Sequence, residues 1–149
     1  MYPNMKNFYE LLDIKKQINI SLIIVPVIDT QSPKTKITIN EDCLYYHAVN
    51  EKINIEYKIE LLKNLDIKIQ LYEKDYKKSQ KTAITIESLK IDLFEIIPQW
   101  TQLASYKNDQ NVIQPTNYLG FNGIWNLKTN EPFYRWKHRI TGQGWLLEP

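Results

Sequence analysis

The chain has 149 residues, of which 43% are hydrophobic and 12% aromatic. That composition is too apolar for a disordered segment, and the length lets one domain bury about two thirds of its unfolded surface without a metal or disulfide. The net charge is only +2, and the clusters at Lys15-Lys16, Lys77-Lys78 and Lys81 each sit near acidic residues. That is poor support for nucleic-acid binding, which needs a concentrated basic surface.

Residues 1–17 are expected to form an arm or a short helix, with Phe8, Leu11 and Leu12 on one side. The remainder, 18–149, reads as one β-domain. Its first stretch, INISLIIVPVI, is apolar on both faces and rich in β-branched residues, the pattern of a buried strand. Pro26 has no N–H for a ladder, so it belongs at an edge, a bulge or the strand's end. DTQSPK follows as a turn-rich loop, then KITIN and CLYYHAV as two short strands.

Ile53, Ile55, Tyr57, Ile59 and Leu61 alternate with polar residues, and so do Leu65, Ile67, Ile69 and Leu71. Two half-buried strands joined at Leu62-Lys63-Asn64 read as a hairpin. EKDYKKSQK is then a charged, solvated loop. TAITIESLKIDLFEII alternates again, but Ile84 and Ile86 differ in parity from Leu89, Ile91 and Leu93, so a β-bulge or bend falls at Glu87-Ser88. A long connection, PQWTQLASYKNDQNVIQPTN, precedes the strand YLGFNGIWNLK, a turn at TNEP and a short strand FYRWKH. All four glycines lie in the closing segment 118–149, as Gly120 and Gly123, then Gly142 and Gly144. Glycine permits sharp turns and close backbone approach, which would lay Trp125, Trp136 and Trp145 against the domain. The whole predicts an all-β antiparallel β-sandwich or jelly roll of about 6–8 strands.

Catalysis needs converging groups, and the sequence offers few. A phosphate-cradling glycine loop, a G-x-S-x-G elbow and an H-E-x-x-H helix are all missing. The single Cys43 rules out an intramolecular disulfide and a multi-cysteine zinc site, and reads as a small buried hydrophobe. His47 lies four residues beyond it, a weak nucleophile-and-base spacing. His138 sits among Arg135, Lys137 and Arg139, which disfavour its protonation and leave it a surface or interface hydrogen bond. Glu56, Glu60, Asp66 and Glu87 alternate with strand apolars and face solvent. Asp29, Glu41, Asp42, Asp75 and Asp109 lie in loops and offer oxygens to calcium, without the spacing of a calcium loop. No catalytic residue, metal ligand or cofactor is assigned, and the expectation is a protein that is not an enzyme.

Aromatic residues carry the functional reading. Tyr45, Tyr46, Tyr72, Tyr76, Trp100, Tyr106 and Tyr118 fall at strand ends or in loops, and Tyr45, Tyr76 and Trp100 are the candidate sugar platforms. The other candidate is an interface built from Phe133, Tyr134, Arg135, Trp136, Lys137, Arg139 and Trp145, where aromatic and cationic side chains interleave as in interface hot spots.

The stretches KITINEDCLYYHAV, INIEYKIELLKNLDIKIQLYEKD and TAITIESLKIDLFEI resemble small β-sandwich modules of the carbohydrate-binding kind. The end, YLGFNGIWNLKTNEPFYRWKHRITGQGWLLEP, is similar to the C-termini of small tailed-phage proteins. These resemblances imply two functions. One is a non-enzymatic virion component, capsid- or tail-associated, that joins other protein subunits in a homo- or hetero-oligomeric assembly. The alternative is a carbohydrate-binding module that holds a glycan on loop aromatics. Nucleic acid and membrane are not expected partners: no run approaches ~20 apolar residues, and MYPNMKNFYELLDIKK lacks signal-peptide character. The expected location is the virion for a phage protein, and otherwise the cytoplasm.

Overall fold

Alternating β-branched and polar residues build almost every element of the structure, a computed structural model that describes residues 17–110, 112–113 and 116–142. Along the chain run β1 (Gln17–Val27), β2 (Lys34–Ile39), β3 (Asp42–Ala48), β4 (Ile53–Glu60), β5 (Asn64–Tyr72), β6 (Ala83–Ile91) and β7 (Phe94–Glu95). A 3-10 turn (Thr101–Leu103), β8 (Ser105–Lys107), β9 (Val112–Ile113), β10 (Tyr118–Leu119), β11 (Gly123–Pro132) and the helix α1 (Phe133–Ile140) complete it. The predicted N-terminal arm and Trp145 lie outside the described residues, except that Gln17 opens β1.

The strands form two antiparallel sheets facing each other. In the first the order is β10-β6-β1-β4, with β7 also on β6, and in the second it is β3-β2-β5-β11-β8-β9. The result is the expected β-sandwich, with eleven strands among the described residues where six to eight were read, because the long connection contributes two short ones, β8 and β9, and β7 and β10 stand apart from the longer strands they were read with. Ile18, Ile20, Leu22 and Ile24 of β1 meet Ile37, Ile39, Leu65, Ile67, Ile69, Trp125 and Leu127 of the second sheet in one buried core. Burying each such side chain contributes about 1.5–3 kcal/mol.

Two expectations hold at residue level. Ile23 pairs with Ser88 and Ile24 with Ile86, so Glu87 is the extra residue of a bulge, as the parity slip required. Pro26 lies where β4 has already ended, and only β6 still pairs with β1 there.

The predicted hairpin is corrected. β4 pairs with β1, whereas β5 pairs with β2 and β11, so Leu61 to Lys63 carry the chain from one sheet to the other. Alternation reports which face is buried but carries no information about the neighbouring strand. The segment FYRWKH is corrected as well, from strand to helix. Phe133, Trp136 and Ile140 recur at helical spacing, and the first two are buried. Lys137 and Arg139 occupy the last turn, where cations favour the helix dipole. Gly142, at φ 73°, ends the helix in the left-handed conformation that glycine adopts without strain. None of the described helices is long and apolar enough to cross a membrane.

Three smaller readings change too. Cys43 is exposed, because β3 is an edge strand whose outer side meets water. Leu93, expected on the buried parity, is 95% exposed at the tip of the β6–β7 turn. The stretch 73–81 is ordered by buried Lys74 and Ser79 rather than solvated throughout.

The β2–β3 turn generates a prediction. Its central residues Asn40 and Glu41 have φ of 47° and 72°, as a two-residue hairpin demands. For Glu41 the left-handed conformation costs about 1–2 kcal/mol, more than the ~0.5–1 kcal/mol that glycine loses to chain freedom. Glu41→Gly should therefore raise the urea midpoint. Gly123→Ala should lower the unfolding free energy by about 1–3 kcal/mol, since its methyl would sit 2.9 Å from the Lys107 carbonyl oxygen. Shifts of the reverse signs would contradict this account.

Candidate binding face on the second sheet

Strand register decides which side chains stand together on the outside of the sandwich. In the second sheet Lys36 lies opposite Tyr46 on one side and Gln70 on the other, Gln70 opposite Ile124, and Ile124 opposite Lys107. Facing residues on paired strands share a face, so Tyr46, Lys36, Gln70, Ile124 and Lys107 form one outward row across five strands. Beside it Lys34 faces Tyr72.

At one end of the row the Tyr46 and Tyr72 rings meet edge to face, with centroids 5.3 Å apart, and the Lys36 ammonium lies 4.9 Å from the Tyr46 centroid. Lys34 donates to Glu73 at 2.8 Å, and that contact raises its pKa. Burial raises the pKa of the Tyr72 hydroxyl, which stays neutral. From Tyr72 a shallow groove of about 310 Å³ runs over Gln70 and Ile124 to Lys107, Asn108 and Asp109. Asn108 and Asn122 shape its wall: the Asn108 amide donates to the Asn122 carbonyl at 2.7 Å, and Asn122 Oδ1 accepts the Lys74 N–H at 2.8 Å. Among the described residues, the Gln70 amide, the Lys107 ammonium and the Asp109 carboxylate have no hydrogen-bond or ion-pair partner. The groove thus combines an aromatic wall, an aliphatic floor and three polar groups open to a ligand.

A buried cation holds the adjoining loops. Lys74 is 7% exposed, and its ammonium donates to the carbonyls of Gln80 at 2.8 Å and Gly120 at 2.6 Å. Desolvation lowers its pKa, with Asp29 opposing. Tyr76 packs beside this ammonium, and its hydroxyl accepts the Asn122 N–H at 2.7 Å. Underneath, Tyr106 is fully buried and stacked on Phe121 at 4.1 Å, and its hydroxyl donates to the Phe121 carbonyl.

The residues singled out from sequence are scattered over this frame. Tyr45 is half-buried against the core, its hydroxyl donating to the Ala48 carbonyl at 2.7 Å. Tyr76 lies at the groove end of the sandwich. Trp100 lies at the opposite end, 6.0 Å from Phe94, which in turn contacts Phe133 of α1. The structure does not bring the three together. The two ends are separated by the length of β5, roughly 26 Å. Tyr46 and Tyr72 were legible as aromatics, but Gln70, Lys36, Lys107 and Ile124 read only as outward strand positions. Topology joins them.

Of the interface candidates, Phe133 and Trp136 are buried and Tyr134 is half-buried, its hydroxyl bonded to Asp92. Arg135 and Arg139 are exposed, and Arg139 is bound to Glu131. The His138 Nδ1 has no hydrogen-bond partner among the described residues. Burial, and then Lys137, lower its pKa, so the expected disfavoured protonation is present. Cys43 and His47 are four residues apart on an extended edge strand, about 13 Å. The loop carboxylates are separately engaged: Asp75 caps the Lys77 and Lys78 amides, Asp29 accepts the Lys81 amide, and Asp42 takes the Tyr57 hydroxyl. Among the described residues, no three His, Cys, Asp or Glu side chains stand where they could hold a metal.

No protein-family model and no curated protein matches this chain. A solved structure of the module vCBM60, from work on two families of calcium-dependent carbohydrate-binding modules, is similar in fold at TM-score 0.49 and 7% identity. The match covers 74% of this chain and 90% of that one.

Lys74→Met would leave the Gln80 and Gly120 carbonyls without their donor. It should cost about 1–3 kcal/mol in chemical denaturation, and a neutral result would show that the ammonium does not hold the loops. For His138, the folded pKa lies below the usual 6.5. Between the two values the unfolded chain takes up the proton and the folded one does not, so stability is full above 6.5 and falls as pH drops through that window. Melting curves from pH 7.5 to 5 should therefore fall less steeply for His138→Asn than for the native chain.

Proposed function

We propose that this protein is a non-catalytic carbohydrate-binding module whose ligand lies on the outer face of the second sheet. The observation that carries the reading is the groove over Gln70 and Ile124. Tyr72 walls it, and Gln70, Lys107 and Asp109, whose side chains have no partner among the described residues, line it. A pyranose presents a C–H face to an aromatic ring and hydroxyls to amide, carboxylate and ammonium groups, and that complement of groups is here. Its volume falls at the small end of ligand-binding clefts, as suits a site that takes part of a chain rather than enclosing a whole molecule. Most of these groups stand on strands, which hold their spacing without a ligand.

The reading moves the site from loop aromatics to a strand face. Tyr76 retains a part as a support for Asn122, while Tyr45 and Trp100 serve the core. Assembly with other subunits through the C-terminal segment is a second reading. Its surface would be Arg135, Lys137 and Arg139, since α1 already turns Phe133 and Trp136 inward.

Tyr72→Ala should weaken glycan binding at least about tenfold, or ~1.4 kcal/mol, with the melting temperature little changed because the ring is outside the core. An immobilised-glycan screen with the full chain, followed by titration of the best hit, provides the measurement. A screen without hits, or native affinity in a Tyr46→Ala/Tyr72→Ala variant, would overturn the proposal.

A further inference from the structure

The face that carries the groove has a charge the whole chain does not. Its outward strand positions include Lys34, Lys36, Lys68, Lys107 and Lys128, against the single acid Asp66. The outer face of the first sheet instead mixes Glu56, Glu60 and Glu87 with Lys58 and Lys90. Some of the lysines are neutralised locally: Lys34 is bound to Glu73 at 2.8 Å, and Lys68 is 3.8 Å from Asp66. Lys36, Lys107 and Lys128 have no acidic partner among the described residues. Two of these three bracket the groove row itself. Lys36 stands on β2 and Lys107 on β8, three strand spacings or roughly 14 Å apart, with Gln70 and Ile124 between them.

We infer that the glycan held on this face is acidic, a polysaccharide bearing carboxylates such as a polyuronate, with Lys36 and Lys107 as its charge contacts. This rests on the carbohydrate-binding reading and names its ligand class. Two ammonium groups on either side of an uncharged stretch match a polymer whose acidic groups are separated by whole sugar rings. They match a nucleic-acid strand poorly, since its charges recur every ~3.4 Å. A sugar carboxylate at either lysine gains a charge-assisted hydrogen bond from an ammonium that forms no ion pair among the described residues. Meanwhile the ring between them lies over Ile124 and against Tyr72.

The test uses the full chain and three probes: a polygalacturonate oligomer, the same oligomer fully methyl-esterified, and a single-stranded oligonucleotide. The acidic oligomer should bind, and esterification should weaken it at least tenfold. Raising the salt should also weaken it, as charged contacts require. Lys36→Gln and Lys107→Gln should each cost about fivefold, while Lys58→Gln on the other sheet changes nothing. Equal binding of acid and ester would overturn the acidic assignment and leave the sugar site standing. Tighter binding of the oligonucleotide would overturn it in favour of a nucleic-acid surface. Failure of every glycan, in this test and in the wider screen, would remove the carbohydrate reading itself.

Discussion

Exclusion of water from the layer between the two sheets is the constraint on which the rest of the structure depends. The inward positions of β1, β2, β5, β6 and β11 are almost all Ile or Leu, with Trp125 and Tyr106 filling the wider part. A strand that slipped by one residue would turn its whole apolar set to solvent. At about 1.5–3 kcal/mol for each side chain, such a slip would exceed the entire stability of a typical domain. Register is therefore fixed, and with it the identity of every outward neighbour. The row from Tyr46 to Lys107 is a consequence of core packing, although none of its members needs to touch the core.

The ends of a sandwich cannot be closed by alternation, and here they are closed by polar groups with assigned partners. At one end Lys74 supplies an ammonium to two loop carbonyls, and Thr30 bonds to Ser79. At the other, Asp92 accepts the Asn19 amide at 2.9 Å and the Tyr134 hydroxyl, tying α1 to the first sheet. Glu95 accepts the Leu89 amide at 2.9 Å and bonds to Ser88, beside the bulge at Glu87. Buried polar groups are tolerable when so satisfied. The bulge, which reverses the parity of β6, thus has its own carboxylate support.

Burial was legible in the sequence and neighbourhood was not. The alternation of Ile53 to Leu61 and of Leu65 to Leu71 states which side of each strand is wet, and the structure agrees at nearly every position. Nothing in a period of two says that β4 and β5 belong to different sheets. FYRWKH reads as a strand because its aromatics favour extended structure. The competing signal was present in the spacing of Phe133, Trp136 and Ile140, in Pro132 before them and in Gly142 after. The candidate site was illegible for the same reason as the sheet order. Gln70, Ile124 and Lys107 are distant in sequence, and only the pairing of β5, β11 and β8 sets them side by side. Tyr45 and Tyr46 illustrate the limit within one dipeptide, since successive strand residues point oppositely. One packs against the core and the other stands 58% exposed.

A face made of strands and one made of loops impose different demands on a ligand. Loop residues must be ordered on binding, and each rotamer-rich side chain so immobilised costs about 0.5–1.5 kcal/mol. In the groove the backbone positions are fixed by the core, and Asn108 and Asn122 are held by their own hydrogen bonds. The ordering cost falls chiefly on the lysines and on Gln70. Of these, Lys36 is already placed by the Tyr46 ring, which leaves Lys107 as the more mobile charge contact. The two ammonium groups are then unequal: one is preorganised beside the aromatic pair and the other adjusts to the ligand across the groove. For the acidic glycan proposed above, such an arrangement would fix the orientation of a chain at the tyrosine end and tolerate variation at the far end, as recognition of a repeating polymer rather than one defined end requires.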